Sequence, residues 1–408
     1  MIRTILGGFK NANQKILFLI YKLKSYRMKR ATIVLAAFTA TMALSCQKEM
    51  QKTQQQSSTT SLSIADYVGD VYTQSNTDTN RVFHFKRASD GKLTLEGKYA
   101  THGKGAGNFA LHSQGSVLLS DNKKWLFVVN AKSSDITVFN VSNGKPEMVD
   151  KASSHGKTPI SLAAHGKWLY VLNVGSDFKG SIAGFTVADN GHLTYIENSS
   201  KNLGTVETDP AEISFNKNGT VLIITERKTN EIVTYTVDEQ GVPSNKKIVE
   251  TAVSEPFGFA MDDAGYMYVS GASRGAKNLG TLSSYQVNSN GKVTGMDTLQ
   301  RSFQTASCWV VLTGDYKFAY VSNTGSNTIS GYSVNNGNLN LLNSDGITAA
   351  TGLAPQDEAI TSDSKYLYVL NQGEKTISGY SINASSGALS KVVKIGGLSH
   401  KAQGLAAK

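Results

Sequence analysis

Apolar and polar residues alternate over residues 365–382 in a way that predicts a β-hairpin. Aromatic and β-branched residues fill Tyr366–Leu370, and a polar turn follows at Asn371–Lys375. Apolar residues then alternate with small polar ones through Thr376–Ile382. A period of two is typical of a strand with one buried face, so this segment predicts two adjacent antiparallel strands.

Imperfect copies of this hairpin recur along the chain, giving seven in all. The other six copies span Asp66–Lys86, Trp125–Val141, Trp168–Val187, Val221–Val237, Tyr266–Val287 and Phe318–Val334. A glycine turn that starts a further strand follows each copy, at Gly91, Gly144, Gly191, Gly241, Gly291, Gly337 and Gly387. A period near fifty residues with several strands per repeat is typical of a propeller blade. We therefore predict an all-β fold, a seven-bladed β-propeller of four-stranded antiparallel blades.

A short strand ahead of a hairpin completes its blade on the inner side. Four such strands are predicted at Thr158–Ala164, Pro210–Phe215, Pro256–Met261 and Asp357–Thr361. The first hairpin lacks one, whereas the chain ends with a spare strand at His400–Lys408 that matches His155–Ala163 without gaps. We expect this last strand to join the first blade and close the ring, which removes exposed sheet edges. No helix is predicted in the propeller.

The first 63 residues have the composition of a leader and a tether. Met28-Lys-Arg, the apolar run Ala31–Leu44 and Ser45-Cys46 have the layout of a secretory signal. The end of this run resembles a bacterial lipobox, with Ala43 where leucine is usual. We expect a leader at 1–45, with translation starting at Met28, then an acylated Cys46 and a disordered tether over 46–63, and the propeller over 64–408.

Charge and cysteine content narrow the functional classes. The leader holds eight Lys and Arg residues and no acid, so the net charge of +10 falls to +2 for the rest, and nucleic-acid binding is not expected. Cys308 is the only other thiol, so no internal disulfide can form, and its apolar strand predicts a buried, inert side chain. In the bacterial lipoproteins that this leader resembles, an acidic run after the cysteine is associated with display on the cell surface, and no such run follows Cys46. We therefore expect the lipid to hold the protein on the outer membrane of the cell envelope, facing the periplasm. We also expect a monomer.

Several motifs resemble the seven-bladed propeller lactonases, a family that includes 6-phosphogluconolactonase and the carboxymuconate lactonising enzyme. They are Tyr67-Val-Gly-Asp-Val-Tyr-Thr73, Asp90-Gly-Lys-Leu-Thr94 and the recurring Leu-Tyr-Val-x-Asn. The resemblance implies the propeller fold and hydrolysis of a sugar or related lactone. The repeats also resemble the Tyr-Val-Thr-Asn repeats of non-catalytic propellers. The alternative is therefore a propeller that binds a glycan, a metal or a protein partner.

Propeller geometry indicates where the functional residues lie. Loops that enter the inner strands share one face with the turns inside the hairpins, and ligand sites gather in such concave places. The residue after the first hairpin strand is Asn130, Asn173, Asn323 or Asn371 in four blades, which predicts structural turns. Glu226 breaks the pattern at a position where the family often has Asn-Glu. Arg227 and Arg274 lie in this turn and the next.

Three histidines lie in the loops that enter the inner strands. A gapless match of residues 112–125 with 155–168 makes His112 equivalent to His155, and His400 follows from the closing strand. A neutral imidazole acts as a general base near pH 7. For a lactonase we expect His155 or Glu226 to direct water and Arg227 or Arg274 to stabilise the oxyanion. The alternative is that the histidines only cap turns.

The family commonly carries Pro-Arg-His before the inner strand, and the matching segments here are Pro210-Ala-Glu212 and Pro355-Gln-Asp357. The missing cation argues against a phosphorylated substrate. We expect a pocket edged by Glu212, Glu226, Asp357 and Trp309. It would suit an uncharged lactone, a saccharide stacked on the indole, or a divalent cation with oxygen ligands, and no other cofactor is expected.

Overall fold

The computed structural model describes residues 67–408 apart from 108–109, 245–246 and 251–252. The predicted leader, Cys46 and tether lie outside the described residues. Antiparallel strands form seven sheets, and helical structure in the described part is limited to two single 3-10 turns, Ser273–Gly275 and Gln372–Glu374. Neither of these turns could span a membrane, and no longer apolar helix is found in the described part.

The first three blades follow one another along the chain. Blade 1 begins with β1 (Tyr67–Gln74), β2 (Arg81–Ala88) and β3 (Leu93–Ala100). Blade 2 contains β4 (Val117–Leu119), β5 (Trp125–Asn130), β6 (Asp135–Asn140) and β7 (Glu147–Ser153). Blade 3 contains β8 (Pro159–His165), β9 (Trp168–Asn173), β10 (Ser181–Val187), β11 (Leu193–Tyr195) and β12 (Lys201–Asn202).

The remaining four blades repeat the same order. Blade 4 contains β13 (Pro210–Phe215), β14 (Val221–Glu226), β15 (Glu231–Thr236) and β16 (Lys247–Glu250). Blade 5 contains β17 (Pro256–Met261), β18 (Tyr266–Gly271), β19 (Thr281–Val287) and β20 (Val293–Arg301). Blade 6 contains β21 (Ser307–Leu312), β22 (Phe318–Asn323), β23 (Thr328–Asn335), β24 (Asn338–Leu341) and β25 (Ala349–Ala350). Blade 7 contains β26 (Pro355–Ile360), β27 (Tyr366–Asn371), β28 (Thr376–Ile382) and β29 (Leu389–Ile395), and the chain ends with β30 (Gln403–Ala407).

The C-terminal strand closes the ring, as the sequence predicts. β30 pairs antiparallel with β1 and becomes the inner strand of blade 1. The Asp70 and Lys408 backbones exchange two hydrogen bonds, of 3.0 and 2.9 Å. Blade 1 therefore combines the two ends of the propeller, which couples its first and last strands in one sheet.

The seven predicted glycine turns are confirmed. Each of these glycines has a left-handed φ, between +70° and +87°, and links the third and fourth strands of its blade. Glycine adopts this conformation without the steric cost that a Cβ would add. The turn carbonyls also join neighbouring blades, because the Tyr320 hydroxyl donates to Gly387 O at 2.8 Å and the Tyr368 hydroxyl to Gly91 O at 2.7 Å. The last of these bonds links blade 7 to blade 1.

The inner strands surround a central channel of about 430 Å³. Most of them carry a register shift, or β-bulge, close to the end at which they enter the channel. The loops that enter these strands lie beside the turns between the second and third strands, as predicted. Val174 N, for example, donates to Thr158 O, and Arg227 N donates to Asp209 O. We call the face formed by these loops and turns the upper face.

Candidate functional site

A bridge of hydrogen bonds crosses the upper end of the channel. Gln114, in the loop that enters β4, donates through Nε2 to Val310 O at 2.8 Å and accepts from Val310 N through Oε1 at 2.9 Å. The Trp309 indole donates to Ser113 O at 3.0 Å. These bonds join blade 2 to blade 6 across the ring. Trp309 is buried, with its ring 4.9 Å from that of Phe257, so the prediction that its indole stacks on a saccharide is wrong.

Glu212 and Asp357 line the channel together, as predicted for one pocket. Both are buried, and Glu212 accepts a hydrogen bond from Phe259 N at 2.6 Å. Burial raises the pKa of Glu212 well above its usual value. Burial also raises the pKa of Asp357 to about 7, although backbone amides including that of Glu358 oppose the shift. No three His, Cys, Asp or Glu side chains in the described part converge as metal ligands.

Glu226, which the sequence analysis expects at the edge of the pocket, lines neither the channel nor the cleft described below. It occupies the same strand end as Asn323, whose side-chain amide donates to Thr328 and Ser330 inside its own blade. Glu226 is likewise fully buried and accepts a hydrogen bond from the Thr229 hydroxyl at 2.9 Å. The side chain therefore stabilises the turn from within the blade.

The three loop histidines do not converge. The His155 ring is exposed and stacks on Tyr195, with 3.8 Å between ring centroids, in the outer part of blade 3. His400 is exposed in the loop before β30. Ala406 pairs with Tyr72 of β1, whereas Ala163 pairs with the corresponding Tyr170 of β9, so the register differs by two residues from the gapless match. His155 and His400 are therefore not equivalent.

Arg227 and Arg274 do share a cleft, of about 330 Å³, on the upper face of blades 3 to 5. The other residues that line it are Phe178, Glu207, Asp209, Lys228 and Glu255. The Arg227 guanidinium lies 2.7 Å from Asp209 Oδ2 and 4.0 Å from Glu255 Oε1, and it packs 5.3 Å from the centre of the Phe257 ring. Arg227 also donates through Nε to Asp209 O at 3.3 Å. Its position is therefore fixed on several sides.

Arg274 differs from Arg227 in that the described part of the chain offers its side chain no partner. Ser273 and Arg274 both adopt left-handed φ values, of 50° and 52°, and Glu255 Oε2 accepts the Arg274 backbone amide at 2.6 Å. The guanidinium has no ion-pair or hydrogen-bond partner among the residues that the structure describes, and it lines the cleft. Two consecutive non-glycine residues in this conformation store strain of the kind found at functional sites. Glu255 thus holds the turn that presents an available cation.

His112 does not line this cleft but interacts electrostatically with two residues that do, Arg227 and Asp209. Its pKa is lowered by the surrounding protein atoms and by the Arg227 charge, and the Asp209 charge opposes part of the shift. A lowered pKa keeps the imidazole neutral at pH 7, as a general base requires. Cys308 also lies nearby, but burial raises the pKa of its thiol to about 12, which agrees with the predicted inert side chain.

The sequence interpretation missed five of the residues that line the cleft. Asp209 and Glu255 directly precede Pro210 and Pro256, at the start of the inner strands of two consecutive blades. A comparison of the residues that directly precede the inner-strand prolines would have placed both acids on the same face as the two arginines. Phe178 gives no such signal, because it is a single aromatic residue in a polar turn.

Comparisons with known proteins agree with the fold. A family model described as the seven-bladed β-propeller lactonase matches residues 82–202, 120–256, 179–296 and 280–399. A protein of Bacteroides fragilis provisionally identified as a 6-phosphogluconolactonase superposes with a TM-score of 0.67 at 16% identity, covering 85% of this chain and 99% of its own. The periplasmic gluconolactonase PpgL of Pseudomonas aeruginosa gives 0.65 at 15% identity, covering 84% and 98%. A Lactobacillus plantarum protein gives 0.68 at 17%, covering 84% and 99%. At these identities the solved structures support the fold alone, and the search of curated proteins found no match.

Proposed function

The chain belongs to the seven-bladed β-propeller lactonase family, and from this premise we propose that it hydrolyses a lactone in the upper cleft. The main support for this proposal is the Arg274 guanidinium, which lines the cleft without a partner among the described residues. A cation that is positioned before the reaction stabilises the oxyanion of ester hydrolysis without reorganisation. Arg227, already paired with Asp209 and Glu255, has the different role of shaping the cleft.

His112 is the proposed general base, in place of the predicted His155 and Glu226. It accepts a proton from water as the water oxygen bonds to the lactone carbonyl carbon, and the negative charge passes to the carbonyl oxygen beside Arg274. The carbon–oxygen bond of the ring then breaks. The imidazolium returns the proton to the departing ring oxygen, which leaves a hydroxy acid.

The charges of the cleft support a neutral or weakly anionic substrate. Its cations Arg227 and Lys228 are paired with Asp209 and Glu207. Within the residues that the structure describes, Arg274 is then the one cation of the cleft without a partner, and one guanidinium suits a carbonyl oxygen or a single carboxylate better than a phosphate, which is usually held by several donors. We therefore keep the sequence-based proposal of an uncharged sugar or related lactone.

The test is hydrolysis of a panel of γ- and δ-lactones, including sugar lactones, by the purified protein. Arg274→Ala should lower kcat/KM about 100- to 1,000-fold through lost oxyanion stabilisation, and Arg274→Lys should recover part of it. His112→Asn should lower kcat about 100- to 10,000-fold and remove the acidic limb of the pH–rate profile. His155→Ala is the matched control, since its exposed ring lies outside the cleft.

Two results would overturn the proposal in different ways. Wild-type turnover in Arg274→Ala and His112→Asn would move the reaction to another part of the propeller. Failure of the wild-type protein to hydrolyse any lactone would leave the alternative of a propeller that binds a glycan or another partner without catalysis.

A further inference from the structure

A second cleft, of about 340 Å³, lies next to the charged cleft on the upper face, between blades 2 and 3. Its apolar lining consists of Ala106, Ala131, Val174 and Phe178, and the remaining residues are Lys132, whose ammonium group pairs with Asp78, and the small residues Thr158, Gly175 and Ser176. No carboxylate lines it. Phe178 lines both clefts, so its ring is the boundary between a charged compartment and an apolar one.

Phe178 is held in position by its backbone. It has a left-handed φ of 57°, which is uncommon for an aromatic residue. Its carbonyl accepts hydrogen bonds from Thr208 N at 2.8 Å and Asp209 N at 2.9 Å. Because Asp209 pairs with Arg227, the backbone of Phe178 is tied to the wall of the charged cleft. The side chain nevertheless remains 38% exposed, so a large apolar surface is presented where a ligand in the charged cleft would end.

We propose that the apolar cleft binds a hydrocarbon substituent of the lactone and that Phe178 determines this specificity. The substrate class is a lactone whose ring carries an unbranched alkyl or acyl chain. The ring would lie beside Arg274, and the chain would cross the edge of Phe178 towards Val174. This inference rests on the proposed lactone hydrolysis. It adds a binding site for the hydrocarbon substituent, which the charged cleft does not hold.

The test compares γ-lactones that carry a methyl or a hexyl substituent. Each buried methylene should raise kcat/KM about 4-fold, so burial of three gives a hexyl-to-methyl ratio of about 60. Phe178→Ser should reduce this ratio at least tenfold. Phe303→Ser is the matched control, because Phe303 is also exposed at 49%, has the same φ of 57° and lines neither cleft. It should leave the ratio unchanged.

Failure of this inference can be separated from failure of the proposed function. If the methyl lactone is hydrolysed and the ratio is near one, or if Phe178→Ser keeps the ratio, the apolar subsite is refuted while the lactonase proposal stands. If neither lactone is hydrolysed, calorimetric binding of the corresponding 4-hydroxy acids replaces the rates. Tighter binding of the longer acid, lost in Phe178→Ser but not in Phe303→Ser, would support the subsite alone, and equal binding would refute it.

Discussion

Replacing Glu358 with leucine should stabilise the propeller. Glu358 lies on β26, is 3% exposed, and pairs with Val369 of β27. Neither carboxyl oxygen has a hydrogen-bond partner of good geometry in the described part of the chain. In four other blades the inner-strand residue equivalent to Glu358 is apolar and buried. These residues are Leu162, Ile213, Phe259 and Val310. An acid therefore occupies a core position of the repeat.

The pH dependence gives the expected size of the effect. Burial and the neighbouring Asp357 raise the pKa of Glu358 well above its usual value, and the Ser322 amide opposes only part of the shift. The folded state therefore holds this proton while the unfolded state releases it. The contribution of Glu358 to the free energy of unfolding is largest below the pKa that this carboxyl has in the unfolded chain. It falls by about 1.4 kcal/mol per pH unit as the pH rises towards the pKa in the folded protein. Glu358→Leu removes both this pH-dependent cost and the cost of burying two carboxyl oxygens without hydrogen bonds. The free energy of unfolding should therefore rise by about 2–4 kcal/mol at pH 7 and by much less at pH 4.

Thermal and urea unfolding of the wild type and Glu358→Leu at pH 4, 5.5, 7 and 8 would measure this gain. A propeller of this size should show a rise in Tm of about 3–6 °C at pH 7. Glu358→Gln separates charge from packing, because it should remove the share of the pH dependence that Glu358 contributes, leave that of Glu212 and Asp357, and keep an unsatisfied polar group. Glu96→Val, at an exposed strand position, controls for the added apolar residue. An unchanged or lower stability of Glu358→Leu at pH 7 would refute the reasoning.

Three further predictions concern the ring, its bridge and its anchor. Deletion of residues 403–408 removes β30 and should lower the Tm sharply, since blade 1 loses its inner strand; an unchanged melting curve would contradict closure by this strand. Gln114→Ala breaks both bonds to Val310 and should destabilise the fold by about 1–3 kcal/mol, whereas Gln240→Ala on an exposed turn should have little effect. Equal stability of the two variants would show that the bridge is dispensable. Cys46→Ala should move the protein out of the membrane fraction, and unchanged sedimentation and mass would contradict lipidation.

The repeat carries most of the information that predicts the fold. Hairpin pattern, glycine turns and the spare C-terminal strand each follow from local sequence, and each is found in the structure. The gapless match at the C-terminus identified the right strand but the wrong register. Each of the two inner strands carries one β-bulge, so the two-residue difference lies in the loops that enter the strands, where the match assumed equal lengths.

The bridge across the channel could not be predicted in this way. Gln114 and Val310 are 196 residues apart and belong to blades that are not neighbours. A repeat predicts contacts between adjacent blades, because each blade meets the next in the same geometry. Contacts across the ring depend on the shape of each entering loop, which differs from blade to blade. For the same reason Trp309 looked available from its sequence position and is buried beneath such a loop.

Departures from a repeat are useful signals only when the direction of the side chain is known. Glu226 and Arg227 both depart from the pattern, and they are adjacent in the sequence. Successive side chains at a strand end point to opposite sides. Glu226, the last residue of β14, points into the blade as the asparagines do, whereas Arg227 points into the cleft. In blade 4 the position one residue beyond the second strand therefore faces the cleft, whereas in blade 5 that position is Ala272 and Arg274 reaches the cleft from three residues beyond the strand.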